Sequence, residues 1–140
     1  MRRAFMGLMV FCMTAVFGTA MAAEPQKEKA ASTAAQEWLA IVDAGMYEMS
    51  WKQASAYFKN AVTEDQWVST VKAFRNPLGK CEMRIERGST YMTTLPGAPD
   101  GEYVIVQFDT TFENKKSSVE SVTMSLEADG RWRVCGYFIR

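Results

Sequence analysis

Asp43, Glu48, Asp109 and Glu120 are the side chains with which this sequence could move a proton, because no histidine occurs among its 140 residues. Histidine is the usual acid or base near neutral pH and the commonest metal ligand. A carboxylate can replace it when burial raises its pKa. The sequence offers these four a plainer reading. Asp43 falls in the last turn of a helix, Asp109 alternates on the polar side of a strand, and Glu120 suits a cross-strand partner. Cys81 or Cys135 as a nucleophile would need a base that histidine normally supplies. No G-x-S-x-G elbow, glycine-rich phosphate loop, H-E-x-x-H pair or calcium-loop spacing is present. No catalytic residue, cofactor or metal is therefore expected.

Binding has better material. Four tryptophans, Trp38, Trp51, Trp67 and Trp132, could line an apolar hollow, although all four also fall on stripes that must build a core. Trp51 opens a helix close to Tyr47 and is placed to sit at a pocket mouth. Arg75 and Arg133 could reach a rim on their long stems, or pair with Asp43 or Glu120. A rim arginine would suit an anionic ligand. The candidate binding set is thus Trp51, Tyr47, Arg75 and Arg133.

Three Ser/Thr-x-x-Gln spacings, Thr33 with Gln36, Ser50 with Gln53, and Thr63 with Gln66, read as capping boxes and predict three helix starts. The first helix carries Trp38, Ile41 and Val42 and ends at Gly45 in the manner of a C′ glycine. The second carries Trp51, Ala54, Phe58, Ala61 and Val62. The third carries Trp67, Val68, Val71 and Phe74 and stops at Asn76-Pro77.

From Cys81 onward the apolar period becomes two, the mark of half-buried strands. Cys81, Met83 and Ile85 share one side, as do Val104, Val106, Phe108 and Phe112, then Val122, Met124 and Leu126, and finally Trp132, Val134 and Phe138. Asp129-Gly130 is a hairpin signal, Asn114-Lys115-Lys116 suits a short turn, and Leu95 to Gly101 forms a stiffer loop. Helices first and strands second predict an α+β fold: three N-terminal helices on one face of a four-stranded antiparallel meander.

The chain's start reads as a secretory signal over residues 1–23. Arg2 and Arg3 precede an apolar run from Ala4 to Phe17, and Ala20-Met21-Ala22 provides small residues for cleavage after Ala22 or Ala23. A periplasmic or secreted protein without a remaining membrane span follows. Residues 24–31 contain the polar run Glu24 to Lys29 and are expected as a disordered leader before a single domain over 32–140. Removing residues 1–23 leaves 14 basic and 16 acidic side chains, a balance that offers nothing to a nucleic acid. Cys12 departs with the signal. Cys81 and Cys135 then either form a disulfide in an oxidising compartment or remain two small buried side chains.

A family resemblance runs along nearly the whole mature chain. It is carried by Trp38-Leu39, Val42-Asp43-Ala44-Gly45, Tyr47, Ser50-Trp51, Val62-Thr63, Gln66-Trp67, Arg75 and Pro77-Leu78-Gly79. It continues in Leu95 to Tyr103, Asn114-Lys115, Glu120, Asp129-Gly130, Trp132-Arg133-Val134 and Gly136-Tyr137. The chain resembles the bacterial domain-of-unknown-function 4019 family of small exported proteins. That resemblance implies no chemistry, and the element order is similar only at the level of fold to cystatin-like or NTF2-like cones.

Two functional readings follow. The first is an exported non-catalytic protein that binds an apolar or anionic ligand, a peptide or a partner protein through the open side of the sheet or its edge strand. The alternative is an NTF2-like enzyme with a buried carboxylate in the sheet cavity. Self-association through an exposed strand edge is a third course.

Overall fold

The computed structural model describes residues 19–140, with side chains from residue 24 onward. Residues 1–18 of the expected secretory signal lie outside the described residues. Four helices come first: α1 (Thr19–Asp43), α2 (Tyr47–Lys52), α3 (Ala56–Ala61) and α4 (Glu64–Arg75), the last running into a 3-10 turn at Asn76–Leu78. Four strands follow, β1 (Cys81–Met92), β2 (Tyr103–Phe112), β3 (Lys115–Leu126) and β4 (Trp132–Ile139). They form one antiparallel meander in the order β1-β2-β3-β4, with the sheet left open. The helices pack on one face, and α1 touches every strand. No helix among the described residues is long and apolar enough to cross a membrane.

One of the three capping boxes forms as expected. Thr63 accepts from the Gln66 backbone N–H while the Gln66 side chain accepts from the Thr63 N–H, at the start of α4. Thr33 instead lies inside α1, where its hydroxyl donates to the Lys29 carbonyl. Ser50 lies inside α2 and donates to the Tyr47 carbonyl at 2.6 Å. The predicted second helix is therefore two short ones. Ser55, in extended conformation, breaks the run and caps α3 by accepting from the Phe58 N–H. At the end of α1, Gly45 has φ +74°, and the bonds from Met46 N–H to Ile41 and from Gly45 N–H to Val42 close a Schellman motif.

The expectation of a disordered leader is corrected. Residues 24–31 belong to α1, and Ala31 is completely buried. Composition alone hid this, because the segment is held mainly by polar contacts with the sheet. Lys27 pairs with Glu102, Glu28 accepts from the Tyr91 N–H at 3.0 Å, and Ser32 donates to Glu86 at 2.8 Å. The Glu28 bond also blunts the free edge of β1.

The core matches the predicted stripes of β2 and β3: Val104, Val106, Phe108, Phe112, Val122 and Met124 are buried. On β1 and β4 the predicted faces change. The irregularity between Cys81 and Met83 puts Met83 and Ile85 outside, 57% and 58% exposed, and turns Arg84 and Glu86 inward with Thr110 and Phe108. Between Val134 and Gly136 the extra residue Cys135 reverses the alternation, so Tyr137 faces the core and Phe138 is 53% exposed. Trp38 and Trp67 are buried in an aromatic cluster with Phe58, Phe74 and Tyr137, while Trp51 and Trp132 pack at its margin. Both Cys81 and Cys135 are free thiols; no disulfide joins them.

Candidate functional site

Two polar constellations stand out from the apolar core. The first lies on the inner face of the sheet beneath the end of α1. Glu120 of β3 is completely buried and accepts from Arg84 Nε at 2.7 Å, from Thr110 Oγ1 at 2.6 Å and from the Tyr137 hydroxyl. Arg84 also grips Asp43 with both terminal nitrogens, at 2.6 and 3.1 Å. Arg75 reaches the same carboxylate at 3.2 Å, donates to the Gly79 carbonyl and lies over the Phe112 ring. Burial by itself would lower the pKa of Arg84, and the hydrogen bonds to Asp43 and Glu120 more than offset it. Burial, with the Glu120 charge beside it, holds the Tyr137 phenol well above its ordinary value.

Two arginines and two carboxylates thus neutralise one another, and the oxygens of Glu120 face three donors. Such a cluster ties the C-terminal turn of α1 and the end of α4 to β1 and β3. Its chemistry is that of a clamp.

The second constellation is open to solvent. A groove of about 300 Å³ runs between α1, the end of α2 and β4. Trp38, Trp132 and Met124 form its apolar wall, and Lys52, Arg131 and Arg133 stand around it with the acidic Glu37. Arg133 is held in place by Asp129 through two bonds of 3.0 and 2.8 Å. That arginine holds the Asp129 carboxyl down at about 2. Lys52 and Arg131 have no carboxylate within ion-pair distance among the described residues.

The four sequence candidates separate. Arg133 lines the groove. Arg75 is buried in the ionic clamp, and Tyr47, also buried, donates to the neighbouring Asn76 side chain at 2.6 Å. Trp51 donates to the Val62 carbonyl at 2.9 Å, with the Lys59 ammonium over its ring. Tyr47 and Arg75 therefore lie together in the α1–α4 corner, away from the groove that holds Arg133. Sequence reading missed Lys52, Arg131 and Arg84. For Arg131 the signal was present, since it follows the Asp129-Gly130 turn directly beside Trp132 and Arg133. For Arg84 the alternation pointed the wrong way, because one irregular residue in β1 reverses it.

Burial pushes the Cys135 thiol up to about 11 and raises that of Cys81 as well. Neither sulfur is therefore an activated nucleophile. No group of three or more metal-binding side chains occurs among the described residues.

No curated protein and no solved structure matches the chain. The model of one family, a protein of unknown function (DUF4019), matches residues 34–137. That span takes in the C-terminal part of α1 from residue 34 onward, α2 to α4 and the sheet up to Tyr137, and the chain belongs to this family.

Proposed function

We propose that this is an exported, non-catalytic binding protein and that its ligand is a small anion held in the groove between α1, α2 and β4. The observation that carries the reading is the convergence of Lys52, Arg131 and Arg133 on one groove that contains a single carboxylate, Glu37, and is walled by two indoles. Such a mixture of apolar wall and a few oriented polar groups is how small-molecule sites are built. Lys52 and Arg131 are free to meet a ligand, whereas Arg133 is pre-set by Asp129. Export rests on the residue pattern of positions 1–23.

The enzyme alternative rests on Glu120, the carboxylate most deeply buried. Its oxygens already accept from Arg84, Thr110 and Tyr137, which supports a structural role for it. The space between helices and sheet is taken up by Trp38, Trp67, Phe58 and Tyr137, which favours binding at the groove over chemistry in the interior.

Calorimetric titration with citrate and with inorganic phosphate tests the anion site. Binding that weakens with added salt and drops at least about fivefold in the Lys52→Ala/Arg131→Ala variant is expected, since each exposed charge pair is worth up to about 1 kcal/mol. Equal binding by the variant would reject the groove. Mass spectrometry of the protein from its native envelope reports the mature N-terminus, and recovery of a chain that still carries Arg2 would reject export with cleavage.

A further inference from the structure

We infer that the chain carries a second, separate site, a groove that takes the hydrocarbon tail of a long-chain fatty acid with its carboxylate on Lys115. The groove, of about 360 Å³, lies between the end of α4 and the last residues of β4 and is lined by Phe74, Leu78, Lys115, Phe138 and Ile139. Four of its five lining side chains are apolar, and the ammonium of Lys115 is the one polar side chain. A fatty acid has no polar group beyond its head. Lys115 has no carboxylate within ion-pair distance among the described residues, whereas the adjacent Lys116 is paired with Glu82 at 3.0 Å. The charge at the rim therefore complements a carboxylate.

The Phe74 and Leu78 side of the groove is held before any ligand arrives. Asn114 donates from its backbone to the Leu78 carbonyl at 2.9 Å and from its side chain to the Pro77 carbonyl at 3.0 Å, tying the turn after α4 to the β2–β3 hairpin. Phe74 is packed against Trp67 and Tyr137, with ring centroids at 6.4 and 6.0 Å. Phe138 is 53% exposed because the extra residue Cys135 reverses the strand. A preformed apolar hollow loses little freedom on binding.

Titration with octanoate, decanoate and dodecanoate below their micelle concentrations, followed by calorimetry, tests the site. Dodecanoate should bind saturably with one molecule per chain, and affinity should rise about two- to fourfold per added methylene, as expected for buried CH₂ groups. Phe138→Ser should weaken dodecanoate at least about tenfold, and Lys115→Gln should weaken all three acids by one common factor. Dodecyltrimethylammonium should bind more weakly than dodecanoate. Lys52→Ala/Arg131→Ala should leave dodecanoate unaffected, so failure here and failure of the anion groove are told apart. Absence of a chain-length trend, or equal affinity of Phe138→Ser, would overturn the site, as would a cationic amphiphile that binds as tightly. So would sedimentation showing that Phe138 holds two copies together while dodecanoate does not bind. Should Phe138→Ser fail to fold, chemical shifts of the unmutated protein decide: dodecanoate must move signals of Phe74, Leu78 and Ile139, and movement confined elsewhere rejects the inference.

Discussion

Arg84 on β1 and Glu120 on β3 meet across the intervening strand, Nε to Oε1 at 2.7 Å, with Thr110 of β2 bonded to the same oxygen at 2.6 Å. Glu120 is entirely out of solvent. An ion pair in such a place contributes little net stability, yet removing one partner leaves a charge stranded. Arg84→Met is therefore expected to destabilise the fold by about 3–5 kcal/mol. Arg84→Met combined with Glu120→Leu should recover much of that loss, which urea unfolding of the three proteins measures.

Ser50 reads in sequence as a helix cap but gathers two indoles. It accepts from Trp67 Nε1 on its hydroxyl at 2.9 Å and from Trp38 Nε1 on its carbonyl at 2.9 Å. Ser50→Ala should remove the acceptor that Trp67 Nε1 has among the described residues and cost about 1–3 kcal/mol. Thr63→Ala, which breaks a true capping box, should cost about 1 kcal/mol, and Thr33→Ala within roughly 0.5 kcal/mol. Thermal melts that ranked Thr33→Ala as the most damaging of the three would contradict the placement of these residues.

Alkali should weaken the fold. Burial raises the thiol of Cys135 from 9.0 to about 11 and holds Tyr137 well above 10.0. Both groups are acids that the folded state keeps neutral, so their contribution is intact below the unfolded values and declines as pH rises through the folded ones. For Cys135 the window runs from about pH 9 to about pH 11. Unfolding free energy measured from pH 7 to 11 should be flat at first and fall beyond pH 9, and Cys135→Ser should make the decline shallower. Two titratable thiols in a chain that begins at residue 24, and no mass deficit from a disulfide, are expected in the same preparation.

The start of α1 should contribute to stability. A chain that begins at residue 34 loses the buried Ala31 and the bonds from Glu28 and Ser32 to the sheet. Relative to a chain beginning at residue 24 it should be less stable by about 2 kcal/mol, from roughly 1 kcal/mol per lost hydrogen bond. Equal midpoints in urea would mean that this part of α1 adds nothing.

Asp129 competes with any anion for Arg133. Asp129→Asn should tighten binding of citrate about two- to fivefold, the range of an exposed pair. Its carboxyl is held down at about 2, so the pair contributes fully above the ordinary value of 3.8 and is lost as pH falls toward 2. Between pH 5 and 8 this residue should therefore impart no pH dependence to calorimetric affinities.

Much of the architecture was legible in the residues. The Thr63-Gln66 box, the C′ glycine at Gly45, the proline stop after α4 and the alternation of β2 and β3 are local signals, and each is realised. Arg133 was legible as a candidate because it follows a hairpin turn and a tryptophan. Its partners in the groove were not, since Lys52 reaches it from a helix some 80 positions earlier.

By itself the sequence determined the order of elements, helices before a meander, because capping, helix stops and period-two runs depend on neighbours a few residues apart. The tertiary structure alone decided which side of β1 and β4 faces inward. A single extra residue in a strand reverses every side chain beyond it, and whether that residue bulges is settled by the register of the strand alongside. It also decided that the polar run at Glu24 to Lys29 is ordered. The partners that hold it, Glu102 and Tyr91, lie 75 and 63 positions further along the chain than Lys27 and Glu28, where no local rule can see them.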